Sequence, residues 1–316
     1  MTNPLPPPVV TPSPIADLSY RTYTGPLRTR AVRWWVVALY TIRKARRSPG
    51  FWVLSAICLL SYIFHAIAFY VQLNVSSAFM AQSQRDYVLP FFSAMNGNMN
   101  AYCLMGICML LGAGSIAGDQ RVNALMVYLS KPITRSDYLV GKWIGLMVSI
   151  FTVAVVPSLI FYVVMAAAYS SDGFFTQTHW LLPQILLAAL VPSVVLSALM
   201  TGISAWSRSS FTAGALFATL YVLTGIVANI IALAMFQHQF HLILLIRHAS
   251  IPGLIDAIAQ RVFNAKIPGN RFRNPFSHKF ITAPALSFSL TCALVLVVVS
   301  IAAARVKIRA VEVVRG

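Results

Sequence analysis

Charged side chains are the scarcest chemical groups in this chain, so their placement is informative. Of 316 residues only 10% are charged and 58% are hydrophobic, whereas a soluble domain carries roughly 25% charge. The longest internal stretch with several charges is GDQRVNALMVYLSKPITRSDYLVGKW, residues 118–143. Asp119 and Arg121 sit at its start, Arg135, Asp137 and Lys142 toward its end, and Leu125, Met126 and Leu129 form an apolar ridge between them. A short apolar ridge rimmed by charge suits docking against another protein. Bond-making chemistry is poorly supported. A lipid-modifying enzyme needs carboxylates, histidines or a nucleophile clustered at one membrane surface, and the seven acidic residues are scattered over separate segments.

Other chemistry-bearing groups are sparse. GAGSIAGD, residues 112–119, lacks the lysine and hydroxyl of a phosphate cradle, so the chain is expected to bind no ATP. Cys58, Cys103, Cys108 and Cys292 fall in apolar runs and read as small packing residues. They show neither metal-ligand spacing nor a disulfide framework. His238, His241 and His248 are too loosely spaced, with no cysteine or carboxylate beside them, to suggest a metal site. His65 and Asn229 lie alone in apolar runs, where each either faces a substrate path or bonds a neighbouring helix.

These groups must be positioned by membrane-spanning helices. A hydrocarbon core about 30 Å thick takes around 20 apolar residues in a helix. Runs at about 51–73, 99–118, 143–168, 181–205, 212–236 and 283–304 meet that length without an interior Asp, Glu, Lys or Arg. The fold expected is an all-α integral membrane protein of six transmembrane helices. Residues 1–26 are Pro-rich and expected to be a disordered tail. Residues 27–50 read as an amphipathic interfacial helix, with Arg30, Arg33, Lys44 and Arg47 inside a wedge of roughly 100° and Trp35, Ala38, Leu39 and Ile42 away from it. The same basic residues also serve as a topology anchor, and the two roles overlap physically. Residues 51–316 form the six-helix domain, interrupted by segments 119–142 and 237–282. In the latter, IPGLIDAIAQRVF carries an amphipathic pattern at Leu254, Ile255, Ile258, Ala259 and Val262, an extracytoplasmic helix before the sixth span.

The net charge of +17 lies mostly beside the runs, which favours phospholipid headgroups over nucleic acid as partners. Placing both termini in the cytoplasm puts the larger share of basic residues inside, although the 237–282 segment is itself basic. Trp34, Trp35, Trp143, Trp180 and Trp206 near run ends read as interfacial anchors. Pro157, Pro183 and Pro192 are either bend points or ordinary membrane-helix prolines.

Within 118–143 the second run ends at Gly118, VNALMVYL reads as a short helix, and Pro132 stops it. Thr134 or Ser136 can cap the following helix, with Asp137 in its first turn where a carboxylate suits the dipole. Leu129, Ser130, Pro132, Ile133, Thr134, Arg135, Tyr138, Leu139, Gly141 and Lys142 follow a pattern close to L-S-x-P-I-T-R-x-x-Y-L-x-G-K. That pattern resembles the cytoplasmic loop of permease subunits of ABC transporters of the type-2 exporter class. The acidic position is Asp119 where many relatives have Glu, and Asn123 and Ala124 replace a usual Gly-Thr.

The resemblance implies that 119–142 is a coupling loop seated in a groove of a separate ATP-binding subunit, present in two copies, with ATP and Mg bound there. It further implies a second permease subunit, identical or different, in a bacterial inner membrane. Asp119, Arg121, Leu125, Leu129, Pro132, Arg135 and Lys142 are the residues it assigns to coupling. Energy from a partner also fits the spans themselves, because a proton- or sodium-driven transporter usually keeps an ionisable group in the membrane and these runs hold none. Export of an unidentified substrate is the leading expectation. The alternatives are mechanical or assembly work by the same complex and, less favoured, a membrane-embedded lipid-modifying enzyme.

Overall fold

The structure, a computed structural model, describes residues 33–77, 88–124, 133–170, 174–235, 248–265, 267–268, 280–281 and 285–309. The proposed tail, Arg30, Leu125, Leu129, Pro132, His238 and His241 lie outside the described residues.

The chain is helical: α1 (Arg33–Arg47), α2 (Pro49–Ser77), α3 (Val88–Asn96), α4 (Asn98–Arg121), α5 (Arg135–Ala168), α6 (Phe174–Thr178), α7 (Leu181–Trp206), α8 (Ser210–Met235), α9 (Ile251–Phe263) and α10 (Leu286–Arg309). A two-residue antiparallel pairing, β1 (Ile267–Pro268) with β2 (Phe280–Ile281), is an addition to the all-helical expectation. Among the described residues six stretches are long and apolar enough to cross a membrane: Pro49–Val71, Val88–Arg121, Arg135–Ala168, Leu181–Trp206, Ser210–Ile231 and Leu286–Ile308.

Two spans depart from the runs read in the sequence. The second is preceded by α3 and broken at Gly97, where an added Cβ would meet the Ser93 carbonyl oxygen at 2.7 Å. The third starts at Arg135 rather than near 143. Counting charge-free residues stops at Lys142, but the helix continues below it because that ammonium is paired inside the protein. Of the two candidate caps, Thr134 is used: its Oγ1 accepts from the Asp137 amide at 3.1 Å, and an Asp137 carboxylate oxygen accepts from the Thr134 amide, a complete capping box.

The hub is α7, with 72% of its most apolar window buried against 17% for α10. It contacts α4, α5, α8, α9 and α10 because its inward face is small: Ala188, Ala189, Ser193, Ser197, Ala198, Thr201, Gly202 and Ser204 are all buried. Lipid tails are as apolar as leucine, so helices in a bilayer associate through close packing and hydrogen bonds between them. Ser204 supplies both, donating to the Ala113 carbonyl at 2.9 Å and accepting from the Ile116 and Ala117 amides at 3.1 Å. Pro157 and Pro192 lie inside continuous helices. Pro183 sits in the first turn of α7, where its missing amide breaks no helical bond.

Helix α1 does more than carry charge. Its buried face is Val37, Ala38, Thr41 and Ala45, sharing only Ala38 with the apolar set read from the sequence, while Trp35 is exposed. Small side chains win because the partner surface on α5 is Gly141 and Gly145, one turn apart. A Cβ at Gly141 would lie 2.5 Å from the Trp34 carbonyl oxygen, and one at Gly145 would lie 2.6 Å from Thr41 Cβ. The two glycines therefore let the backbones touch. Replacing Gly145 with leucine is expected to displace α1 and cost about 1–3 kcal/mol, the usual penalty of overpacking. A lower thermal unfolding temperature in detergent, with faster tryptic cleavage within α1, checks this; unchanged values would contradict the close contact.

Candidate functional site

The segment 119–142 leaves from the end of α4 and returns at the start of α5. At its base the carboxylate of Asp119 meets the ammonium of Lys142 at 2.8 Å. The Tyr138 hydroxyl donates to the same carboxylate oxygen at 2.7 Å, and the Lys142 nitrogen lies 5.5 Å from the centre of the Tyr138 ring. Lys142 is only 3% exposed and Tyr138 fully buried, in a cluster of Val37, Ile116, Leu139, Ala205, Ala304 and Ile308. Residues of five helices, α1, α4, α5, α7 and α10, thus surround Tyr138, which donates to the carboxylate of the pair. A charge this deep requires a partner, since an unpaired buried ion costs several kcal/mol. Sequence reasoning named both residues but placed neither against the other. Its burial makes Lys142 a strut behind the segment, not a contact on its surface.

The neighbouring positions divide by exposure. Arg121 is exposed at the end of α4, and Arg135 opens α5 half-buried. Past Arg121 the chain turns through Asn123, whose φ of 52° is left-handed and whose amide donates to the Gln120 carbonyl at 3.1 Å. Asparagine is the residue after glycine that best tolerates this conformation, so the replacement of the resembled glycine retains the turn. On α1, Lys44 and Arg47 are exposed and Arg33 is half-buried.

A second feature lies at the opposite end of the bundle. A cavity of about 150 Å3 is bounded by Asn98, Asn100, Tyr221, Asn229, Ser250 and Asp256 together with apolar residues of α4, α7 and α9. Asn229, one of the two lone polar residues singled out, lines it; His65 bonds the Ser61 carbonyl at 2.8 Å and packs beside Gly97 instead. Asn100 is 1% exposed and fully engaged: it donates to the Met95 carbonyl at 2.6 Å and to the Tyr62 hydroxyl at 3.3 Å, and accepts from the Cys58 thiol at 3.2 Å. Tyr62 in turn meets Ser158 at 2.9 Å. This network ties α2, α4 and α5 together. The sequence reading missed both it and Asp256, although Asp256 was visible as the acid within the amphipathic IPGLIDAIAQRVF. The apolar ridge of that helix, α9, is buried at Leu254, Ile255, Ile258 and Ala259. Among the described residues no three His, Cys, Asp or Glu side chains gather to hold a metal ion.

Among the described residues six long apolar stretches, with an ion pair between the ends of the second and third, indicate a multi-pass membrane protein. A family model described as ABC-2 family transporter protein matches residues 35–307. The chain belongs to that family and is a membrane subunit of an ABC transporter. None of the curated proteins matches it.

Removing either charge of the clasp strands the other. Asp119→Leu, which takes the counter-ion from a buried ammonium, is expected to destabilise the protein by about 3–5 kcal/mol, Lys142→Met by less because Asp119 is partly exposed and keeps the Tyr138 hydrogen bond, and the double variant by less than Asp119→Leu. A double-mutant cycle on thermal unfolding in detergent measures this; losses that simply add would show that the two groups do not interact.

Proposed function

We propose that the chain is the translocating half of an exporter whose ATP-binding subunits, two in number, engage the 119–142 segment from the cytoplasm. The observation that carries this reading is the clasp. Closing the segment with an ion pair whose ammonium is buried makes its two ends one unit, so a push on the segment moves α4 and α5 together instead of shearing one past the other. Separating the charges would cost several kcal/mol, more than the segment could absorb as local give. ATP drives such a change only if the complex binds it differently in the two conformations.

Orientation follows from charge. The end of the bundle with the clasp also carries Arg43, Lys44, Arg46, Arg47, Arg208, Arg305 and Lys307, and basic residues near spans favour the cytoplasm. The cavity lined by Asn98, Asn229 and Asp256 then lies on the outer side as part of the substrate path. Its walls combine amides and a carboxylate with apolar α7 and α9 residues, which suits an amphipathic cargo. A second permease subunit completes the path. The exposed cations Lys44 and Arg47 rest on inner-leaflet headgroups.

Affinity isolation of the detergent-solubilised chain from its native membrane, followed by ATPase assay, tests the reading. An ATP-binding subunit is expected to co-purify, and Arg135→Glu or Asp119→Ala is expected to release it or reduce hydrolysis severalfold. A chain that purifies alone, or an ATPase indifferent to both changes, would contradict coupling through this segment.

A further inference from the structure

Near the clasp end, α7, α8 and α10 enclose a groove of about 660 Å3 that opens sideways. Its floor is set where Gly202 of α7 meets α10 so closely that an added Cβ would lie 2.9 Å from the Ser300 carbonyl oxygen. Its walls are apolar, chiefly Leu199, Ile203, Leu216, Leu220, Val299 and Ala303. At the mouth stands Trp206, pinned across the helices by its indole nitrogen, which donates to the Ala303 carbonyl at 3.0 Å. The Lys307 ammonium lies 5.4 Å from the centre of that indole, and Arg208 lines the same mouth. The hydroxyls there are committed internally, Ser207 to the Ile203 carbonyl and Thr212 to Ser209. Among the described residues no carboxylate lines the groove.

Length and charge together identify an occupant. From Thr212 to Leu220, the α8 residues that line it, the wall rises about 12 Å at 1.5 Å per residue, most of the depth of one leaflet in a hydrocarbon core about 30 Å thick. The groove therefore spans most of one leaflet, apolar along that depth and cationic at its mouth. We propose that it is a binding site for one anionic phospholipid of that leaflet, an acyl chain lying along α8 and the phosphate held between Arg208 and Lys307. Basic pockets between spanning helices take anionic headgroups in this way. A zwitterionic lipid brings an ammonium that finds no acid among the described residues of the groove. The site depends on the six-span fold alone and stands whether or not the 119–142 segment couples to an ATPase.

The full-length chain, delipidated in detergent and titrated with phosphatidylglycerol or phosphatidylcholine, can be followed by native mass spectrometry. One phosphatidylglycerol is expected to be retained in preference to phosphatidylcholine. With about 1 kcal/mol per cation, that preference should fall about five-fold in Arg208→Gln or Lys307→Gln and about 30-fold in the double variant. Leu216→Trp, which fills the groove, should lower retention of both lipids. A double variant that keeps the preference would overturn the proposal. So would an equal loss in Arg43→Gln with Arg46→Gln on α1, which would indicate general surface attraction. A change in subunit stoichiometry in Leu216→Trp, with lipid retention unaltered, would instead assign the groove to a second copy of the chain.

Discussion

A single ion pair, Asp119 with Lys142, governs how this protein is put together at one end. Burying an ammonium among Tyr138, Leu139 and Ile116 is costly unless its counter-ion arrives with it. The counter-ion comes from a different helix, so the pair fixes the end of α4 against the start of α5. Everything else at that end follows the same constraint. The capping box at Thr134 starts α5 early enough to bring Lys142 to the carboxylate. Gly141 and Gly145 then leave room for α1 to lie directly on the α5 backbone, closing the cluster from the side. Gln120 completes the closure by donating to the Ala205 carbonyl of α7 at 3.2 Å.

The two ends of the bundle are built on different principles. At the clasp end, one strong charge pair and close glycine contacts make a stiff joint. At the other end, neutral hydrogen bonds around Asn100 tie three helices together beneath a small polar cavity, and aromatic packing of Phe91 with Phe161 at 4.6 Å seats α3 against α5. Neutral hydrogen bonds between membrane helices are individually modest, on average well under 1 kcal/mol.

Much of this was legible in the sequence, for definite reasons. The spans were visible because a helix crossing a bilayer needs around 20 predominantly apolar residues, and the amphipathic ridge of α9 because its period matches a helix. Asp119 and Lys142 were each recognisable from the segment's pattern. Their pairing was not, because charge was read as a boundary marker; two helices joined by a short segment run antiparallel, and that geometry sets the ends of 119–142 opposite one another. The Gly141–Gly145 spacing was also present as a small-residue motif and went unread beside the charges. Of the cavity only Asn229 stood out in the sequence, as a lone polar residue in an apolar run; Asn98 and Asp256 belong to other elements that only tertiary packing brings to it.

The most direct test asks whether the base of the 119–142 segment acts as a rigid joint. Asp119→Cys with Lys142→Cys, joined by a short bifunctional thiol reagent that reductant reverses, replaces the ion pair with a covalent link; ATP hydrolysis by the native complex is then measured before and after reduction. A rigid clasp predicts near wild-type hydrolysis in the linked form and a severalfold fall once the link is cleaved. Equal rates in the two forms, or loss of hydrolysis on linking, would contradict it.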